Sequence, residues 1–147
     1  MSAPPDLTDK GRFPFWQREN LRFSDTDMLG HVNNVAFAAL IESGRVAYTC
    51  SVLLPEWRQP VLAVMARVEI DYRAELHYPA AVDIGCCLVS VGRSSFVIGN
   101  AVFRGDLCAA TALTVLVFID RTTRRSTPMT DDLRGLLNAH LRQAAGT

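Results

Sequence analysis

The chain has 147 residues, 49% of them apolar, and its 15 Lys plus Arg are balanced by 15 Asp plus Glu. That is the length of one ordinary domain, with enough apolar residues to bury a core unaided by disulfides or metals. The charge balance excludes the bulk positive field of a general nucleic-acid or membrane-surface binder, so an anionic ligand must be held by a local patch.

Residues 1–11 carry Pro4, Pro5, Asp6 and Asp9 without an apolar run resembling a signal peptide, and read as a flexible leader to a single domain over 12–147. Phe13, Phe15, Leu21 and Phe23 alternate imperfectly with polar positions and predict a first strand within Phe13–Ser24. A turn-rich segment follows. The longest helical candidate then begins near Asn33 or Asn34, either of which is a good N-cap. Between Val35 and Leu54 the apolar residues exceed one stripe, so this helix is expected to be wrapped on most sides.

Val61–Tyr72 alternates with period two, one face turning charged at Arg67, Glu69 and Asp71, and predicts a long strand. Further strands are predicted over 81–91, 95–104 and 108–120. Their links, at Gly92-Arg93-Ser94 and Gly105-Asp106, are short enough to make consecutive strands antiparallel neighbours. The run from Ala109 to Ile119 is continuously apolar, which implies cover on both faces, by the helix on one side and another subunit on the other. Leu133, Leu136, Leu137, Ala139 and His140 have helical spacing and predict a C-terminal surface helix over Asp131–Gln143. The expected class is α+β, an antiparallel sheet around one central helix plus a C-terminal helix.

No stretch reaches the roughly 18 apolar residues of a membrane span. Cys50, Cys86, Cys87 and Cys108 have neither zinc-site nor redox-pair spacing and read as reduced, core-type thiols of a cytoplasmic protein. His31, His77 and His140 are scattered without metal-ligand spacing, so neither a metal nor a cofactor is expected. The motifs of serine hydrolases, zinc proteases, dinucleotide binders and phosphate-binding loops are missing.

The densest cluster of reactive types is Asp25, Asp27, His31, Asn33 and Asn34, in the loop entering the predicted helix. Such residues often only cap helices and shape turns. The same loop can also carry chemistry. Free N–H groups at a helix N-terminus can hold an oxyanion, and an ionised aspartate beside them can activate water or attack a carbonyl.

The string Asp25-Thr26-Asp27-Met28-Leu29-Gly30-His31-Val32-Asn33-Asn34, followed by Glu42 and Arg45, resembles the D-x-D-x-x-G-H-V-N-N…E-x-x-R signature of the 4-hydroxybenzoyl-CoA thioesterase-like family, which has the hotdog fold. It is also similar to motifs of plant acyl-ACP thioesterases. The likeness extends more weakly through Tyr78-Pro79, Arg93-Ser94-Ser95-Phe96 and Val117-Phe118-Ile119-Asp120. The resemblance implies a hotdog fold and an acyl-CoA thioesterase releasing free acid and coenzyme A. Asp27 is then general base or nucleophile, and the helix N-terminal amide near Asn34 polarises the carbonyl. His31 matches a histidine catalytic in the acyl-ACP branch, and a structural bridging role stands beside that one. Leu29 replaces that branch's catalytic Asn, which favours a CoA substrate.

Arg93, Ser94 and Ser95 match the hairpin that contacts CoA in family members, and Arg121, Arg124 and Arg125 form a second basic patch suited to phosphate. Glu42 and Arg45 are expected to pair along the helix. Phe37, Leu40 and Ile41 line either an acyl pocket or the core. The resemblance also implies sites between subunits of a homodimer or homotetramer. A non-catalytic acyl-CoA or acyl-carrier binding module, an acyl-ACP thioesterase and an enoyl-thioester hydratase are the alternatives. The hydratase motif is not found.

Overall fold

The computed structural model describes residues 3–54 and 61–145, with side chains to Arg142. The first two residues of the leader and the last two of the expected domain lie outside these. Strand β1 (Phe15–Asn20) is shorter than its predicted span because the residues on either side are used elsewhere. Phe13 turns to the outer face of the sheet beside Trp16 and Phe103, and Phe23–Asp25 forms a single 3-10 turn.

Helix α1 (Asn34–Tyr48) starts where Asn33 Oδ1 accepts from Ala36 N at 2.8 Å, the N-cap expected from the Asn pair. After Tyr48 the apolar run does not continue as α-helix. Thr49 Oγ1 donates to Arg45 O at 2.8 Å, and Thr49–Leu53 widens into a π turn that seats Leu53 in the core.

Strands β2 (Val61–Tyr72), β3 (Ala81–Val91), β4 (Ser95–Arg104) and β5 (Leu107–Asp120) follow. They make one antiparallel sheet in the order β1-β3-β4-β5-β2. The short β3–β4 and β4–β5 links gave those two pairs directly. The pairing of β2 with β5, from Val61 opposite Asp120 to Tyr72 opposite Ala110, is nonlocal and makes β2 an edge.

One face of the sheet carries α1. Phe37, Ile41 and Tyr48 pack on Ile84, Leu88, Phe96, Ile98 and Phe118 in a continuous core. Gly44 sets the closeness of that contact: a Cβ there would lie 2.4 Å from Ile84 Cγ2, so only glycine lets helix and sheet approach this far. Helix α2 (Asp131–Ala145), capped by Thr130 Oγ1 accepting from Leu133 N, closes the core with Leu133 and Leu137.

Within the single chain, cover departs from expectation in two places. Helix α1 is buried along its sheet side but leaves Val35, Ala38, Ala39 and Val46 open, so the single chain does not wrap it on most sides. The second face of β5 is covered in part by the chain's own leader. Leu7 and Phe13 pack there with Cys87, Ala101, Phe103 and partly buried Leu113. The leader read as loose because of its prolines. Leu7, one apolar residue among polar ones, is 7% exposed and seats it on the sheet.

Candidate active site

The loop between β1 and α1 is held from within by Asp25. This carboxylate is buried, yet both oxygens are satisfied: Oδ2 accepts from Arg22 N at 2.8 Å and Oδ1 from Arg22 Nη2 at 3.0 Å. Asp25 O in turn accepts from Asn33 N at 2.9 Å, which fixes the start of α1. Asp25 and Asn33 are therefore scaffold.

Asp27 serves a different end. Its backbone closes the turn, N donating to His31 O at 3.1 Å and O accepting from Gly30 N at 3.0 Å. Gly30 has φ +86, a conformation that favours glycine. Asp27 Oδ1 accepts from Leu29 N at 2.9 Å, while Oδ2 has no hydrogen-bond partner among the described residues. The side chain lies on a cleft of about 560 Å³ that also reaches His31, Asn34 and Val35.

At the start of α1, Ala36 N is used by the Asn33 side chain and Phe37 N by Asn33 O. Asn34 and Val35 are exposed, and their N–H groups have no acceptor among the described residues. They are the orphan donors that a helix start leaves, and Asn34 and Val35 line the cleft that Asp27 also lines.

On the other side of Asn34 a cleft of about 250 Å³ is lined by His31, Phe37, Tyr72, Arg73 and Glu75. Phe37 and Tyr72 meet edge to face at 5.5 Å, and Tyr72 Oη is 3.5 Å from Asn34 O. Phe37 is thus both core and cleft wall, Leu40 is core and also lines a separate cleft with Arg22, Asp25 and Ala36, and Ile41 belongs to the core. His31 is half-buried, with Nδ1 3.4 Å from Val32 O and Nε2 4.0 Å from Glu75 Oε1. The structure therefore brings Asp27, His31 and Asn34 to one place. Tyr72, Arg73, Glu75 and His77 join them there, unflagged in the sequence because only the β2–β5 pairing carries them to the loop.

The hairpin of Arg93, Ser94 and Ser95 is not at this place. The loop stands where β2 ends and β3 begins, while the hairpin stands where β3 ends and β4 begins. The ten residues of β4 separate them by about 30 Å. The hairpin instead meets the other basic segment: Ser126 Oγ donates to Ser94 Oγ at 3.3 Å and Arg134 grips Gly92 O and Arg93 O. Arg93, Arg121, Arg124 and Arg125 are all exposed at this end. Asp120 stiffens the arginine turn by accepting from Thr122 N and Thr123 N, and these bonds hold its carboxyl below the usual range.

Glu42 Oε2 lies 3.7 Å from Arg45 Nη2, the expected pairing, and Arg45 Nη1 donates to Thr114 Oγ1 at 3.5 Å beneath the helix. Among the described residues no group of three or more His, Cys, Asp or Glu is arranged to hold a metal ion. Nor is any helix among them long and apolar enough to cross a membrane.

A family model described as the thioesterase-like superfamily matches residues 21–137, from the end of β1 into α2. This chain belongs to the thioesterase-like superfamily. Among solved structures, a Thermus thermophilus thioesterase complexed with coenzyme A and zinc is 33% identical, with a TM-score of 0.74, over 85% of this chain and 98% of its own. A DHNA-CoA thioesterase from Staphylococcus aureus, 17% identical with a TM-score of 0.77 over 90% and 94% of the two chains, shares the fold. An uncharacterized Bacillus subtilis protein, YsmA, is 26% identical over 84% of both chains. The fold of this thioesterase-like chain is the hotdog: a curled antiparallel sheet holding one helix, with α2 added.

Proposed function

We propose that the chain hydrolyses acyl-CoA thioesters. The observation that carries this reading is the pairing of an open aspartate oxygen with two unsatisfied N–H donors on one cleft. Hydrolysis needs the carbonyl polarised and a nucleophile delivered to its carbon. Donors already fixed at the helix start supply the first at no cost of reorganisation. The thioester oxygen accepts from Asn34 N–H and Val35 N–H. The Asp27 carboxylate then either attacks the carbonyl carbon or takes a proton from an attacking water. In both routes the C–S bond breaks, coenzyme A leaves as thiolate and gains a proton, and water ends as the new acid's hydroxyl. His31, on the same cleft, borders the reacting group.

Coenzyme A enters as part of the substrate, and no resident cofactor has a role. Its phosphates need cations; Arg22 and Arg73 border the site but are turned to Asp25 and Thr111, and the group of Arg93, Arg121, Arg124 and Arg125 stands at the far end of the sheet. A two-fold dimer resolves this. Strand β2 is an edge whose Val64, Met65 and Val68 are exposed beside the charged Arg67, Glu69 and Asp71, and an unpaired edge with exposed apolar residues calls for cover. If β2 pairs antiparallel with a second copy, the Tyr72 end of one strand lies beside the Val61 end of the other. Val61 neighbours Asp120 and the Arg121–Arg125 turn. Each site then takes Asp27 and Asn34 from one subunit and arginines from the next. The coenzyme A complex of the Thermus thermophilus relative supports a CoA ligand.

The test is thiol release from a panel of acyl-CoAs and acyl-carrier proteins, with hydration of an enoyl-CoA run alongside. Thiol release from acyl-CoAs is expected, with Asp27→Asn lowering kcat by about 10²–10⁴-fold while the fold is kept. Binding without release across the panel, or full activity in Asp27→Asn, overturns the assignment.

A further inference from the structure

Three residues leaving β2 meet three residues of the Asp27 loop. Leu76 O accepts from Val32 N at 2.8 Å, a backbone bond that many sequences could make. The flanking contacts depend on side chains. His77 Nδ1 lies 3.1 Å from Gly30 O; a carbonyl only accepts, so Nδ1 carries the hydrogen and donates it. Glu75 lies between the two imidazoles, Oε1 4.0 Å from His31 Nε2 and Oε2 3.5 Å from His77 Nε2; with Nδ1 of His77 already donating, Nε2 donates to Glu75 only in the imidazolium form. The rings meet edge to face, 6.3 Å between centroids. Arg73, the remaining charged residue on this cleft, is turned to Thr111 Oγ1 at 3.0 Å and does not compete for Glu75.

The loop needs such a hold. Met28 and Leu29 at its tip are exposed, and within the turn the contacts run only among Asp27, Leu29, Gly30 and His31. The Gly30–His31 peptide is their common point: its carbonyl meets His77, and the next carbonyl, His31 O, accepts from Asp27 N. Fixing that peptide fixes the direction of the Asp27 side chain.

We propose that His77 and Glu75 are positioning residues, which clamp the Gly30–His31 peptide and the His31 ring and so aim Asp27 at the N-terminus of α1. The proposal rests on the hydrolytic reading of Asp27. Exposed ion pairs add little to stability, so the clamp acts on geometry and its loss falls on turnover. In the full-length chain His77→Ala lowers kcat about 10-fold, with KM within about twofold and the melting temperature unchanged. Amide exchange at Leu29 and Gly30, whose N–H groups bond to Asp27, speeds about 10-fold in the same variant. His77→Asn, whose amide nitrogen stands near Nδ1, restores most of both, and Glu75→Gln falls between.

Unchanged exchange or unchanged kcat in His77→Ala overturns the proposal. So does an equal loss in His77→Ala and His77→Asn with a lowered melting temperature, which marks a merely structural role. Exchange is read without substrate, so the two ideas fail separately. Full turnover in Asp27→Asn removes the hydrolytic reading, whereas slow exchange in His77→Ala beside a dead Asp27→Asn removes only the clamp.

Discussion

Cys86 and Cys50 carry the same side chain into opposite environments. Cys86 lies under α1 with Asn100 Nδ2 at 3.0 Å from its sulfur, and burial pushes its thiol up to about 12; burial likewise pushes Cys87 up to about 11. Cys50, in the π turn after α1, is exposed. At pH 8 an aromatic disulfide reagent therefore modifies Cys50 in the native chain and spares Cys86 and Cys87, a pattern that mass mapping reads directly. The linkage has a definite sign. Between about pH 9 and 12 the native chain keeps protons on these thiols that the unfolded chain releases, so stability falls as pH rises through that window. The denaturant midpoint is expected to drop above pH 9, and less steeply in Cys86→Ala. Sequence reading took all four cysteines as core-type because none has zinc-site or redox-pair spacing. Cys50 lies four residues past the exposed Val46 and continues the open face of α1. Sequence reading set Asp25 apart as scaffold and Asp27 as reagent; the Arg22 contacts show how Asp25 is closed, while Asp27 meets only Leu29 N through Oδ1.

Among the elements, α1 was the most legible and also the most incompletely read. Its Asn cap follows from local chemistry, and its apolar excess signalled a central position. The stripe of Val35, Ala38, Ala39 and Val46 left open could not be seen, because periodicity reports a preference for cover without saying what covers. The depth of the helix depends on Gly44. Gly44→Ala gains helix propensity but drives a methyl into Ile84, and the packing cost wins: the unfolding free energy falls by about 1–3 kcal/mol in urea denaturation. Unchanged stability there means that β3 can retreat, and that the close approach is incidental. Strands β3, β4 and β5 were read within a residue of their bounds, since short polar links and long apolar runs mark them locally. Placing β2 against β5 needed the whole fold, and so did bringing Glu75 and His77 to the loop.

At the scale of the molecule, the clearest fact is a separation. The open carboxylate and the group of Arg93, Arg121, Arg124 and Arg125 occupy opposite ends of one sheet, and the edge strand that would join them across a two-fold axis exposes Val64, Met65 and Val68. Sequence motifs gave both groups and no distance between them. If each working site is shared, two inactive proteins can repair one another. A variant lacking Asp27 and another with Arg121, Arg124 and Arg125 replaced by alanine are each silent as homodimers. Unfolded together and refolded, they mix at random into about half heterodimers, each with one of its two sites whole, and about a quarter of the wild-type rate returns. No recovery on mixing means that every subunit works alone. A hydrolase built this way has a minimum functional unit of two chains, and defects in its gene can complement when both alleles are expressed together.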